Sequence, residues 1–454
     1  MMTVFSKILL LFQANPAVEI ARKICSLITA IVLTFSPLPA QKCEAKCTGT
    51  FLQSWMSVYW DDARWQQEIS AMEEAGIEYL IIQDLANLNS SGQWEVYYDS
   101  ALPVFQDAEY GGGNVVETAL RNCKGTNVKV IFGLAFFDNW WASAGMGKEY
   151  TDVCGVAANM INEIYNTYVL RQPDAFYGWY FVPEINNAPV MKLSVSSIAN
   201  GVNTIIDAIE NTDKSKPLVL SPFYTQFTFN PGLLGAKAFW VSFLRQTNLR
   251  EQDIFAPQDA VGAGWCLEEN LINTWQMYSS AIRDSGKKFH LWANCENFTT
   301  AQPKNILSGI TQGPATENTA DVTAPMNRFI SQMEIASRFA ENIITFSYSH
   351  YYSPYCVDPM FHNTYLDYLE NGRLESEPPT APENLRVVGG ELQWDASTDN
   401  FGVAYYRICV DGIFLCRCEY FDEASVTVDN KPGVYTVTAF DPAGNSSPAA
   451  VIEV

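Results

Sequence analysis

The chain has 454 residues, 48% hydrophobic and 17% charged, with a formal net charge of −22. That is too long for one ordinary core and too apolar for disorder, so two packed domains are expected. The acidic balance, with no basic run, excludes polyanions such as nucleic acid as partners, because no basic surface could release their counterions.

The first forty residues differ from the rest. Arg22 and Lys23 precede CSLITAIVLTFSPLPA, an apolar run ending in Pro and Ala, and QKCEAK follows. A charged start, an apolar stretch and a small residue at its end are the parts of an export signal. The order predicts a signal peptide over 1–40, cleavage near Ala40, a secreted or periplasmic protein and no membrane span in the mature chain.

From residue 48 to 372 strand-like apolar runs alternate with amphipathic helical patterns. The runs are GTFLQSW, IEYLIIQD (77–84), VKVIFGLAFF (128–137), FYGWYFVPE (176–184), KPLVLSPFY (216–224), DIFAPQD (253–259), KFHLWANCE (288–296) and NIITFSYSHYY (342–352). Between them lie stretches such as DDARWQQEISAMEEAG, SSIANGVNTIIDAIENT and NRFISQMEIASRFA, with apolar residues three and four apart. Eight strand–helix units predict an α/β fold, a (β/α)8 barrel spanning 47–373. GGGN at 111–114 lacks the spacing of a nucleotide-binding loop and reads as a turn.

ESEPPTAPENL then marks a linker, since clustered prolines cannot continue a helix. Beyond it the period changes to two, predicting a β-sandwich over 379–454. QWDASTDNFGVAYYRICVDG and YTVTAFDPAGNSSP in this segment resemble fibronectin type III modules. Cys409, Cys416 and Cys418 depart from that pattern.

The chain has 11 cysteines, one of them Cys25 in the presumed signal. No CxxC occurs and the three histidines are scattered, so structural zinc is not expected. Pairing cannot be deduced from spacing. Cys266 and Cys295 follow adjacent strands, where a bridge or two free thiols are both compatible with the sequence.

In such a barrel, side chains at the C-terminal ends of the strands line one mouth. Those ends supply Gln53 and Trp55, then Gln83 and Asp84, then Trp140 and Trp141, then Glu184 and Asn186. Tyr224, the pair Gln258 and Asp259, the set Trp292, Asn294 and Glu296, and the pair Tyr348 and His350 complete the ring. Glu184 and Glu296 each interrupt an aromatic-rich context where no helix begins. Two carboxylates across a mouth can cleave a glycosidic bond, one donating a proton to the leaving oxygen and the other attacking the anomeric carbon or activating water. Asp259 and Asp84 are the rival second carboxylates. The other residues named are candidates for binding sugar by hydrogen bonds or stacking.

At these two strand ends the chain resembles the retaining glycosidases built on this barrel. The resemblance implies Glu184 as acid/base and Glu296 as nucleophile. Those enzymes carry Asn before the first glutamate, whereas Pro183 stands here. GTFLQSW, GWY..PE.NN, APQD..G and WAN.E.F together look like a bacterial family of uncharacterised barrel proteins described as glycoside hydrolases by inference from their fold. The resemblance implies a carbohydrate substrate, an oligo- or polysaccharide, and a mechanism that requires no cofactor or metal. Oligomeric state is not legible.

Overall fold

The computed structural model describes residues 39–226, 232–300, 321–429 and 431–454. The presumed signal segment therefore falls outside the described residues, apart from Pro39 and Ala40. No described helix is long and apolar enough to cross a membrane.

Eight parallel strands close into a barrel. They are β1 (Gly49–Leu52), β2 (Tyr79–Ile82), β3 (Lys129–Gly133), β4 (Phe176–Phe181), β5 (Leu218–Leu220), β6 (Ile254–Phe255), β7 (His290–Glu296) and β8 (Asn342–Phe346). Each strand pairs with its sequence neighbours, and β8 closes onto β1 through Gly49 and Thr50. A main helix follows every strand: α1 (Asp62–Glu74), α2 (Val115–Cys123), α3 (Lys148–Thr167), α4 (Val195–Asp213), α5 (Gly232–Gln246), α6 (Leu271–Ser285), α7 (Met326–Ala336) and α8 (Pro359–Asn371).

Local chemistry sets the helix ends. The Asp61 carboxylate accepts the Arg64 amide at 2.8 Å, while Asp358 and Pro359 open α8 and Gly372, with φ +66°, closes it. These are the side chains and backbone freedom that orphaned helix-terminal groups require. Trp65, Ile69 and Met72 bury the inner face of α1.

The period of two along the strands divides side chains between two cores. Phe51, Ile81, Ile131, Tyr180, Val182, Val219, Ile254, Ala256, Trp292 and Ile344 point into the barrel, at least one from every strand. The alternate residues pack outward against the helices. Tyr79, Tyr177 and Trp292 close the N-terminal end, with Tyr79 and Trp292 ring centroids 4.9 Å apart. Phe51, Tyr180 and Phe346 form the layer beneath the mouth.

Seven further strands follow: β9 (Glu383–Val388), β10 (Glu391–Asp395), β11 (Tyr405–Val410), β12 (Ile413–Glu419), β13 (Ser425–Thr427), β14 (Val434–Phe440) and β15 (Ala450–Glu453). They make two antiparallel sheets, ordered β9-β10-β13 and β12-β11-β14-β15, around a separate core that includes Leu392, Trp394, Ile408, Tyr435 and Val437. The ten described cysteines are all free thiols, so Cys266 and Cys295 are not bridged.

Candidate active site

Strand parity selects what faces the mouth. On β4 the inward series Tyr180, Val182 continues to Glu184, and on β7 Trp292 continues through Asn294 to Glu296. On the intervening strands the same parity delivers Ser221 and Gln258. These side chains meet. The Gln258 amide donates to Glu184 Oε1 at 3.0 Å and to the Ser221 carbonyl at 3.0 Å, and the Asn294 amide donates to Ser221 Oγ at 3.1 Å. Isolated parallel bridges Asn186–Phe223, Phe223–Gln258 and Gln258–Asn294 carry the ladder to the rim.

Two other buried carboxylates are held in ion pairs. Glu68 pairs with Arg64 at 2.7 Å and Asp253 with Arg250 at 2.6 Å. Glu184 and Glu296 make no ion pair among the described residues. Burial raises the Glu184 carboxyl above its ordinary range, partly offset by the Gln258 amide. Glu296 is 3% exposed, and its carboxyl is also raised, first by burial and next by the charge of Asp259. The Ala263 amide, donating to Glu296 Oε2 at 2.7 Å, and the nearby Arg328 act the other way, while the charge of Glu184 adds to the rise. Glu296 therefore feels the charge of Glu184.

Asp259 sits behind this pair rather than beside it. It follows Gln258 by one residue, so parity turns it away from the barrel axis. Its Oδ2 accepts from Gln332 on α7 at 2.5 Å, and its Oδ1 accepts the amides of Val261 at 3.2 Å and Glu296 at 3.3 Å. Burial raises its carboxyl too, but these donors and Arg328 favour the anion. Of these two neighbouring carboxyls, Asp259 is the better place for the charge and Glu296 for the proton. Asp84 is a further perturbed carboxyl, pushed up to about 7 by burial and then by Glu95. It and Glu184 both act on the buried Tyr180 phenol.

Several expected binding residues occupy other places. Trp140 is fully buried, and its indole N–H donates to the Glu184 carbonyl at 3.1 Å; it supports the loop and offers no face. Trp292 belongs to the opposite end of the barrel, because β7 carries it two inward positions below Glu296. Tyr348 lies outside the barrel wall, its hydroxyl against His362 Nδ1 at 2.9 Å and the Ala71 carbonyl at 3.2 Å. Tyr224 is buried near Cys266 and Tyr278. Asn186 closes its own turn by accepting the Ala188 amide at 2.9 Å.

Trp55 and Trp141 remain open, 55% and 42% exposed. Trp55 meets His350 edge-on at 5.8 Å, and His350 stacks near Phe346 at 6.0 Å with an unpartnered, buried Nε2. Burial holds its imidazole below the ordinary range. Gln53 and Gln83 are half-buried at the rim, and Gln83 Oε1 is unpartnered.

Four contributors escaped the sequence reading. Ser221 precedes Pro222 and looks like turn chemistry. The Ala263 amide has no side-chain signal. Arg328 and Gln332 belong to α7, where the cue was two polar residues four apart beside the apolar stripe of Phe329, Ile330 and Met333.

The chain is similar to solved structures, and the first of them shares its fold. A protein from Bacteroides thetaiotaomicron, named provisionally as an alpha-L-fucosidase, aligns over 74% of this chain and 98% of its own, with TM-score 0.57 and 18% identity. Chitinase ChiA74 from Bacillus thuringiensis aligns over 90% of this chain and 84% of its own, with TM-score 0.41 and 12% identity. A Bacteroides uniformis beta-glucuronidase aligns over 90% of this chain and 46% of its own, with TM-score 0.41 and 9% identity. No curated protein matches the sequence. A family profile does match, over residues 47–358, and on that ground the chain belongs to the family described as domain of unknown function DUF4434.

Proposed function

We propose that the protein is an exported glycoside hydrolase in which Glu184 and Glu296 are the catalytic carboxyl groups and an oligo- or polysaccharide is the substrate. The observation that carries this reading is the pair itself: two carboxyls without ion pairs among the described residues, at inward strand-end positions on β4 and β7, with the charge of Glu184 acting on Glu296. The glycosidase description of the first structural neighbour agrees with it. Gln258 and Asn294 serve as hydrogen-bonding groups at the sugar, and Trp55 and Trp141 as stacking faces at the rim. The C-terminal sheets are read as a fibronectin type III-like module.

The chemistry needs one carboxyl protonated and one ionised. The resemblance gives the proton to Glu184. The resting electrostatics favour the reverse order, because Asp259 holds a charge behind Glu296 while Glu184 accepts an amide. Substrates with activated leaving groups decide between them, since such groups need no proton and spare the variant that lacks the donor.

Screening the purified protein on a glycan panel with product analysis tests the activity. On any substrate found, Glu184→Gln and Glu296→Gln are each expected to cut kcat about a thousandfold or more while the barrel stays folded. Full activity in either variant rejects that residue's role. The anomeric form of the first product reports retention, expected for carboxyl groups about 5 Å apart, or inversion, expected for roughly 6.5–9.5 Å. Export is tested by sequencing the mature N-terminus, expected near Gln41.

A further inference from the structure

The peptide of Glu296 is gripped from outside the barrel. Its amide donates to Asp259 Oδ1 at 3.3 Å, and its carbonyl accepts from Arg328 Nη2 at 3.3 Å and Gln332 Nε2 at 3.1 Å. Arg328 also donates to the Phe298 carbonyl, just past Glu296. Both donors to that carbonyl stand on α7, four residues apart, so the placement of α7 sets the placement of Glu296.

The first turn of α7 is itself held by the C-terminal sheets. A helix start leaves several amides without partners. Pro325 occupies the cap position and supplies no side-chain bond. Instead the Met326 amide donates to the Pro442 carbonyl at 2.9 Å and the Asn327 amide to the Ala443 carbonyl at 3.0 Å, both in the loop after β14. Next to them Gly444, with φ +99°, lies against the side chain of Asn327: a Cβ there would stand 2.5 Å from Asn327 Nδ2, and a side chain would strain the loop that supplies the cap. Arg417 of β12 donates to the Thr323 carbonyl at 3.3 Å, on the segment entering α7. The contact is thus made at both the entry and the first turn of the helix.

We propose that the C-terminal β-module is a positioning element of the catalytic mouth: it caps α7, from which Arg328 and Gln332 fix the peptide of Glu296. A simple spacer would touch the barrel where its linker runs. This module touches it at the helix behind a mouth carboxylate. The proposal rests on the catalytic reading of Glu296, and the experiment separates the two.

The full-length chain carrying Gly444→Val is compared with wild type by amide hydrogen exchange and by steady-state kinetics. Exchange across 326–332 and 294–298 is expected to accelerate about tenfold, the scale of one lost hydrogen bond at a helix end, while α3 and α4 on the far side stay unchanged. On a hydrolysed substrate kcat falls about tenfold with KM unchanged, since misplacement of a reacting group spares ground-state binding. Unchanged exchange at 294–298, with 326–328 loosened, overturns the proposal. Loosened 294–298 with unchanged kcat upholds the positioning and overturns the catalytic role of Glu296. If Gly444→Val unfolds the module, Arg417→Lys keeps the charge beside Glu419, loses the reach to Thr323, and is read by the same exchange windows.

Discussion

Adjacent residues with opposite fates explain the mouth better than composition does. Gln258 and Asp259 are neighbours, yet one faces Glu184 and the other is buried behind Glu296. The sequence offered both as candidates, because parity cannot be assigned until the register is known. Burial among like charges also predicts a pH signature for Glu296. Its carboxyl titrates higher in the folded chain than its ordinary 4.5. Between those values the folded state keeps a proton that the unfolded chain has released, so stability present below the ordinary value is lost as pH rises through the raised one. Glu296→Gln removes that loss and retains an oxygen for the Ala263 amide. The variant should melt close to wild type at pH 4.5 and a few degrees higher at pH 8. Calorimetry at the two pH values checks this, and equal or lower melting at pH 8 would reject a raised carboxyl.

At the scale of elements the eight strands were legible because every one is an apolar run followed by a helical period. Their ends were less so. Three consecutive strands stop two residues short of a proline: Phe181 before Pro183, Leu220 before Pro222, Phe255 before Pro257. Proline has no amide to give the ladder, so β5 and β6 end early although the apolar runs continue. Pairing resumes only as single bridges at Phe223 and Gln258. The loop after β6 then delivers a donor to the Glu296 carboxyl, the Ala263 amide. Gly262 makes that approach possible. A Cβ on it would lie 2.3 Å from the Phe298 carbonyl and 3.0 Å from Glu296 Oε2. A backbone carbonyl cannot swing aside as a long side chain does. Gly262→Ala should therefore cost roughly 1–3 kcal/mol of stability and lower kcat more than its melting shift suggests, by displacing the Ala263 amide. Wild-type kcat in a destabilised Gly262→Ala protein would show that the donor is dispensable.

At the scale of the whole molecule the change of period at the linker announced a second unit, and nothing in the sequence announced how firmly it docks. The docking surface is made of backbone carbonyls, a glycine, a few rings and the Arg417 and Asn445 side chains, a set with no periodic signature. Phe361 of α8 meets Tyr420 edge-on at 5.8 Å, and the Tyr420 hydroxyl accepts the Asp358 amide at 3.3 Å. Asn445 reaches Glu375 in the linker at 2.7 Å. Together with the cap on α7, these contacts span two helices of the barrel shell. Arg373, Ser376 and Glu377 are exposed nearby and lie outside any helix or strand, as a protease requires. Trypsin should accordingly cut after Arg373. The two parts have separate cores, so each survives the cut, yet the contacts on α7 and α8 should keep them together. The nicked protein is expected to elute as one species in gel filtration under native conditions and to separate in mild denaturant before either part unfolds. Combined with Gly444→Val, the same nick should release the module without denaturant. Immediate separation of the nicked wild type would mean that the linker, and not the docked surface, holds the module in place.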